Sequence, residues 1–154
     1  MRTRPRAIAL STLFVVSLAA VACGDDQDPE GAAELWNRIH AEKYSSWARA
    51  PGFEQRRASA AAHGNAVDIY VNRVVVEALA GSPLAAWPKG SLIVKDGFDD
   101  ADFELVAAME KRDDGWFWAE WDNEGDAMYS GRPSLCIDCH ASGSDLVRAF
   151  ALPK

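Results

Sequence analysis

Apolar residues recur every three to four positions from Leu35 through Trp36, Ile39, His40, Tyr44 and Trp47, the spacing of one helical face. Asp28-Pro29-Glu30 supplies an N-cap and a first-turn proline before that run, and Pro51-Gly52 ends it. The pattern predicts an N-terminal amphipathic helix with an aromatic stripe, read either as plain core or as the wall of a cofactor site. Phe53 to Ala62 is rich in alanine and arginine and has no clear period, and His63-Gly64-Asn65 punctuates the chain after it.

From there the period changes to two. Val67, Ile69 and Val71 alternate with Asp68, Tyr70 and Asn72, the mark of a half-buried strand. Val74 to Leu79 predicts a short helix stopped by Gly81 and Pro83. After the turn Pro88-Lys89-Gly90, the strand Ser91 to Asp96 puts Leu92 and Val94 on one face and Ile93 and Lys95 on the other. A strand from Phe103 to Lys111 meets Asp113-Asp114-Gly115 and returns as Trp116-Phe117-Trp118-Ala119-Glu120-Trp121, a hairpin with rings on both faces of its second arm. Ser144 to Phe150 predicts a short capped helix or turn. These elements predict an α+β domain: a mainly antiparallel sheet, an N-terminal amphipathic helix, short helices and a distinct cysteine-bearing C-terminal segment.

That segment is Cys136-Ile137-Asp138-Cys139-His140. Two thiols separated by two residues can add to the two vinyl groups of one haem, and the adjacent imidazole then reaches the iron. A structural zinc site would need a second pair of ligands, and a thioredoxin-like dithiol would follow a strand in a βαβ unit; neither surrounds Cys136. The expected cofactor is therefore one covalent haem c on Cys136 and Cys139, with His140 as the iron ligand. His40 and His63 are the other imidazoles that could approach iron; His40 reads as a boundary residue on a helix stripe and His63 as part of a Gly-Asn turn.

The start of the chain agrees with export. Arg2, Arg4 and Arg6 precede the apolar run Ile8 to Val21, the order of a secretory signal over residues 1–22. Leu18 to Gly24 is similar to a bacterial lipobox, which makes Cys23 the expected lipidation site, with ordinary cleavage to a soluble periplasmic protein as the alternative. Residues 23–31 then read as an acidic tether and 32–154 as a single haem-binding domain. The three cysteines are thereby assigned, and none remains for a structural disulfide.

Charge sharpens the list of partners. The chain carries −7 at neutral pH, and loss of residues 1–22 removes three arginines and no acids, leaving −10. Such a surface disfavours nucleic acid and direct adsorption on anionic lipid, and suits a basic redox partner. Membrane contact is expected only through the lipid anchor, on the periplasmic side.

Taken with its late position, the haem motif does not fit an ordinary electron-transfer cytochrome c, which has it near the start and supplies a later methionine; here Met1, Met109 and Met128 all precede it. From His63 to Phe150 the chain resembles the cytochrome P-460 and cytochrome c-prime-beta superfamily. The resemblance rests on His63-Gly64-Asn65 leading into Tyr70-Val71-Asn72, on Pro88 through Asp96, on Trp116 to Trp118, and on Cys136 to His140 followed by Asp145 to Phe150. It implies a largely antiparallel β domain, commonly a homodimer, with one haem beside the sheet and an open distal iron site that binds nitric oxide or other small nitrogenous or gaseous ligands. It also implies an alternative, oxidation of hydroxylamine by a haem cross-linked to a strand lysine, and Lys95 occupies that motif position; the spacing alone reads Lys95 as a strand-end lysine with its amine in water. Those oxidising members place a distal carboxylate shortly before the haem motif, where Arg132-Pro133-Ser134-Leu135 offers none. Glu120, Asp122, Glu124 and Asp126 read as a solvated acidic loop, so the catalytic residues of such an activity stay unknown.

Overall fold

The computed structural model describes residues 27–154. The signal-sequence reading, the cleavage site and Cys23 lie outside the described residues.

Helix α1, Pro29–Ala41, starts where the sequence places it: Asp28 caps it by accepting from the Gly31 amide, and Pro29 sits at the first turn. The helix therefore takes in residues 29–31, which the sequence reading assigns to the tether. It stops short of the predicted end at Trp47. Lys43 adopts a left-handed conformation and a 3₁₀ turn, Tyr44–Ser46, carries the chain on. A 3₁₀ turn repeats every three residues, so Tyr44 and Trp47 still pack against the core that an α-helix would have reached.

Seven strands follow in one antiparallel sheet: β1 Ala48–Arg49, β2 Arg57–Ala58, β3 Ala66–Val71, β4 Leu92–Asp99, β5 Asp102–Arg112, β6 Gly115–Asp122 and β7 Ala127–Gly131. Their order is β1-β3-β4-β5-β6-β7, with β2 also paired to β3. The stretch that shows no period in sequence contains only the two-residue β2. Helix α2, Arg73–Ala80, is capped by Asn72, whose side chain accepts from the Val75 amide. Helix α3, Ser134–His140, is followed by turns rather than by the second helix that residues 144–150 allow: Asp145 and Leu146 both have positive φ, and Ser144 bridges to Val147.

The molecule is thus α+β, with helices and coil on both faces of the sheet. On one face α1 covers Tyr70, Leu92, Val94, Val106, Phe117 and Trp121. On the other, α2, Trp87 and the segment after α3 pack on Val67, Ile69, Ile93, Met109, Trp116 and Trp118. Because successive strand residues alternate between faces, Lys95 falls on the second face with Ile93, and Asp96 on the first, where the Tyr44 hydroxyl donates to it at 2.8 Å.

Candidate functional site

The register of four strands brings one row of side chains together. Lys95 pairs with Ala107, Ala107 with Glu120, and Glu120 with Tyr129; the neighbouring row runs Ile93, Met109, Trp118. Ala107 contributes only a methyl group between a lysine and a glutamate. Over this gap lies a cavity of about 260 Å³, walled by the two rows, by His63 from the loop before β3, and by Leu135, Cys136, Cys139 and His140 of α3.

On α3 the two cysteines stand three residues apart, which places them on one side of the helix, with Cys136 half-buried and Cys139 exposed. His140 ends the helix. Its Nδ1 lies 2.8 Å from the Leu146 carbonyl oxygen. A carbonyl can only accept, so Nδ1 carries the proton and Nε2 is left with its lone pair. Burial pushes the His140 imidazolium below its ordinary value, with Lys95, His63 and Arg148 adding to that effect against the Leu146 carbonyl, which favours the neutral ring. The Trp118 ring stands edge-on to it at 4.6 Å between centroids.

The Leu146 carbonyl is itself fixed from outside. Asp145 receives the Lys111 ammonium at 2.8 and 3.0 Å and the Trp87 amide at 2.9 Å, and its backbone carbonyl accepts from Trp116 Nε1 at 2.9 Å. Trp87 Nε1 donates to the Ser144 carbonyl at 3.0 Å. The loop that orients His140 is therefore clamped to β5, β6 and the Trp87 segment.

Lys95 is largely buried in the cavity wall rather than held in water. Desolvation draws its ammonium below the usual lysine range, opposed by Glu120 and Cys139 and reinforced by Arg148. Glu120 departs from the loop reading in the same way: it belongs to β6, its side chain is 15% exposed, and its Oε2 lies 2.7 Å from His63 Nδ1. That contact has ion-pair distance without hydrogen-bond alignment. The acids downstream do form a turn, where Asp122 Oδ1 accepts from the Glu124 and Asp126 amides.

His63 is also placed otherwise than the sequence suggests. Asn65 orders the turn, its side-chain oxygen accepting from the Asp100 amide at 2.9 Å, and His63 faces the cavity with its ring 6.4 Å from that of His140. His40 stays outside, exposed at the end of α1 with Nδ1 2.9 Å from the Trp36 carbonyl. Met109 is buried in the cavity wall, whereas Met128 is exposed. Glu120 is the residue that the sequence reading sets aside as loop, and His63 is one that it names as an imidazole able to approach iron but assigns to a turn. The signal for Glu120 was present, since it shares a strand face with Trp116 and Trp118; finding it needed the register across the hairpin.

Compared with known proteins, the chain matches no family model and no curated protein. The fit of a haem is therefore judged on the residues themselves. A neutral imidazole with its outer nitrogen tied down, two thiols on the same helical face, an apolar gap over Ala107 and a buried Trp118 Nε1 without a hydrogen-bond partner among the described residues all suit a large flat apolar group with a central metal. Among the described residues no group of three or more His, Cys, Asp or Glu converges on a point, as a bare metal centre would require.

Proposed function

We propose that this chain is an exported mono-haem c-type cytochrome of the P-460 and c-prime-beta type, which binds small nitrogen oxides or gases on the distal face of its iron and passes electrons. The observation that carries the reading is His140: its Nδ1 proton is committed to the Leu146 carbonyl while Nε2 remains beside a cavity that both Cys136 and Cys139 line.

Bound there, haem supplies a redox centre and a coordination position for a nitrogenous or diatomic ligand. The chain's own residues do the rest. Cys136 and Cys139 would hold the haem covalently, His140 would supply the iron ligand, and Ile93, Met109 and Trp118 would form the apolar wall against it. Arg148, which donates to the Cys139 carbonyl at 3.0 Å, keeps the second tether in place. The acidic mature surface favours a basic redox partner, the family resemblance favours a homodimer, and the lipobox-like run Leu18 to Gly24 favours a lipid anchor at Cys23 on the periplasmic side.

Titration of the ferrous protein with carbon monoxide or nitric oxide tests this. A stoichiometric change in the haem spectrum is the expected result, and a haem that ignores both gases contradicts it.

A second reading, oxidation of hydroxylamine with Lys95 bonded to the haem edge, is favoured by Glu120. This carboxylate in the cavity wall can take a proton from a substrate N–OH group, with His63 against it. Hydroxylamine-dependent reduction of an acceptor dye supports that reading when Glu120→Gln abolishes it. Tryptic mass spectrometry supports it when the Lys95 peptide runs joined to the Cys136–His140 haem peptide. Absence of both leaves the first reading alone.

A further inference from the structure

We propose that His63 stands opposite His140 across the haem iron as a displaceable sixth ligand, and that a small molecule reaches the metal by taking its place. The inference rests on the haem reading above and goes beyond it, because that reading expects an open distal position.

The argument begins with spacing. An imidazole nitrogen binds a transition metal at about 2.0–2.1 Å and the ring centre lies about 1 Å further, so two imidazoles on opposite sides of one metal have centroids roughly 6 to 6.5 Å apart. The His63 and His140 rings are 6.4 Å apart and inclined at 69°. Other edge-on ring pairs of this fold stand at 4.6 Å for Trp118 and His140 and 5.7 Å for Phe98 and Phe103, so the His63–His140 separation lies at the long end of ring contacts and within the span of two imidazoles on one metal. Each ring has a neighbour behind Nδ1. His140 Nδ1 donates to the Leu146 carbonyl, whereas His63 Nδ1 lies 2.7 Å from Glu120 Oε2 at ion-pair distance without hydrogen-bond alignment, so in both the nitrogen left for a metal is Nε2.

The backbone seat of His63 is built to bring it this close. A Cβ on Gly97 of β4 would overlap the His63 carbonyl oxygen, and Gly64, at φ +92°, would with a Cβ come within 2.6 Å of the Phe98 carbonyl oxygen. Two glycines thus let the loop before β3 lie directly on β4. The loop itself stays short of regular structure, between Ala58 at the end of β2 and Ala66 at the start of β3, so His63 can move away without breaking the sheet.

Alternatives in the same cavity are weaker. Lys95 projects from the sheet with no clamp, and Met109 is packed between Ile93 and Trp118 in the sheet register. Neither carries a ring that stands at this separation from His140.

The test uses the whole chain matured with its haem. In the ferric state, near-infrared magnetic circular dichroism of the wild type identifies the axial pair without any substitution, and a bis-imidazole band is expected. His63→Gly is expected to give a high-spin spectrum that added imidazole returns to low spin. Carbon monoxide should bind the ferrous variant at least tenfold faster than the wild type, since no ligand has to leave. A high-spin wild type with a spectrum unchanged in His63→Gly overturns the proposal, as does a band for histidine with lysine or with methionine. Failure of the variant to accumulate leaves the wild-type band to decide. Absence of covalent haem from the wild type strikes the haem reading instead, so the two failures are distinguishable.

Discussion

Lys95 and Asp96 are neighbours in sequence and lie on opposite faces of β4, and each carries a buried charge whose cost predicts behaviour. Lys95 sits in an apolar wall where an ammonium loses its hydration, and burial is the largest influence on it. In the folded protein an amine-reactive label should therefore pass over Lys95 while it modifies Lys89, whose side chain is 67% exposed. Peptide mapping checks this, and equal labelling of the two would return Lys95 to the solvated surface. Asp96 shows the converse: desolvation raises its carboxyl above the ordinary aspartate value of 3.8, against the lowering effect of the Tyr44 hydrogen bond. A raised carboxyl binds its proton more tightly in the folded state than in the unfolded one. Its contribution to stability is therefore complete below pH 3.8 and falls as pH rises through the folded value. Asp96→Asn keeps an oxygen for Tyr44 and removes the buried charge, so it should raise stability at neutral pH by about 1 kcal/mol, or a few degrees in Tm. Thermal melts across pH should show the wild-type decline and its loss in the variant.

At the scale of elements, the segment after α3 decides how His140 is held. Asp145 joins that loop to β5 through Lys111, whose side chain is 17% exposed, and to the Trp87 amide. Asp145→Ala should cost about 2 to 4 kcal/mol, because it leaves a half-buried ammonium and an amide without their acceptor. Urea denaturation measures that cost. The same variant should shift the haem reduction potential, since a loosened Leu146 carbonyl no longer fixes the His140 proton; an unchanged potential beside a clear stability loss would separate the clamp from the ligand. Much of this was legible in the residues. The period of two fixed the β5–β6 hairpin and the face of Lys95, because alternation is a property of one strand alone. The site row was not legible, since Glu120 meets Lys95 only through the register of β4, β5 and β6, and a slip of one residue would send it to the α1 face. The end of α1 was misread because residues spaced by three satisfy a 3₁₀ turn as well as a helix. His63 was hidden because its position depends on Gly97, more than thirty residues on.

For the molecule as a whole, the proposed export and lipid anchor make their own prediction. Among the described residues no helix is long and apolar enough to cross a membrane, and the proposed anchor, Cys23, lies outside them. Cys23→Ser should move the protein from the membrane fraction to the soluble periplasm or stop its processing, and fractionation with intact mass reads the outcome. A wild type found wholly soluble, with an unmodified mature N-terminus, would remove the anchor and keep the rest. With the proposed loss of residues 1–22 the net charge would be −10, and the partner proposed for such a surface is basic. The proposed function depends on covalent attachment of a haem at α3. The most direct measurement is the mass of the mature protein after acid-acetone extraction, for the wild type and for Cys139→Ala. The account predicts a wild-type chain that keeps one haem through extraction and a variant that retains it weakly or not at all; a wild-type chain that gives up its haem to the solvent, or never carried one, would contradict it.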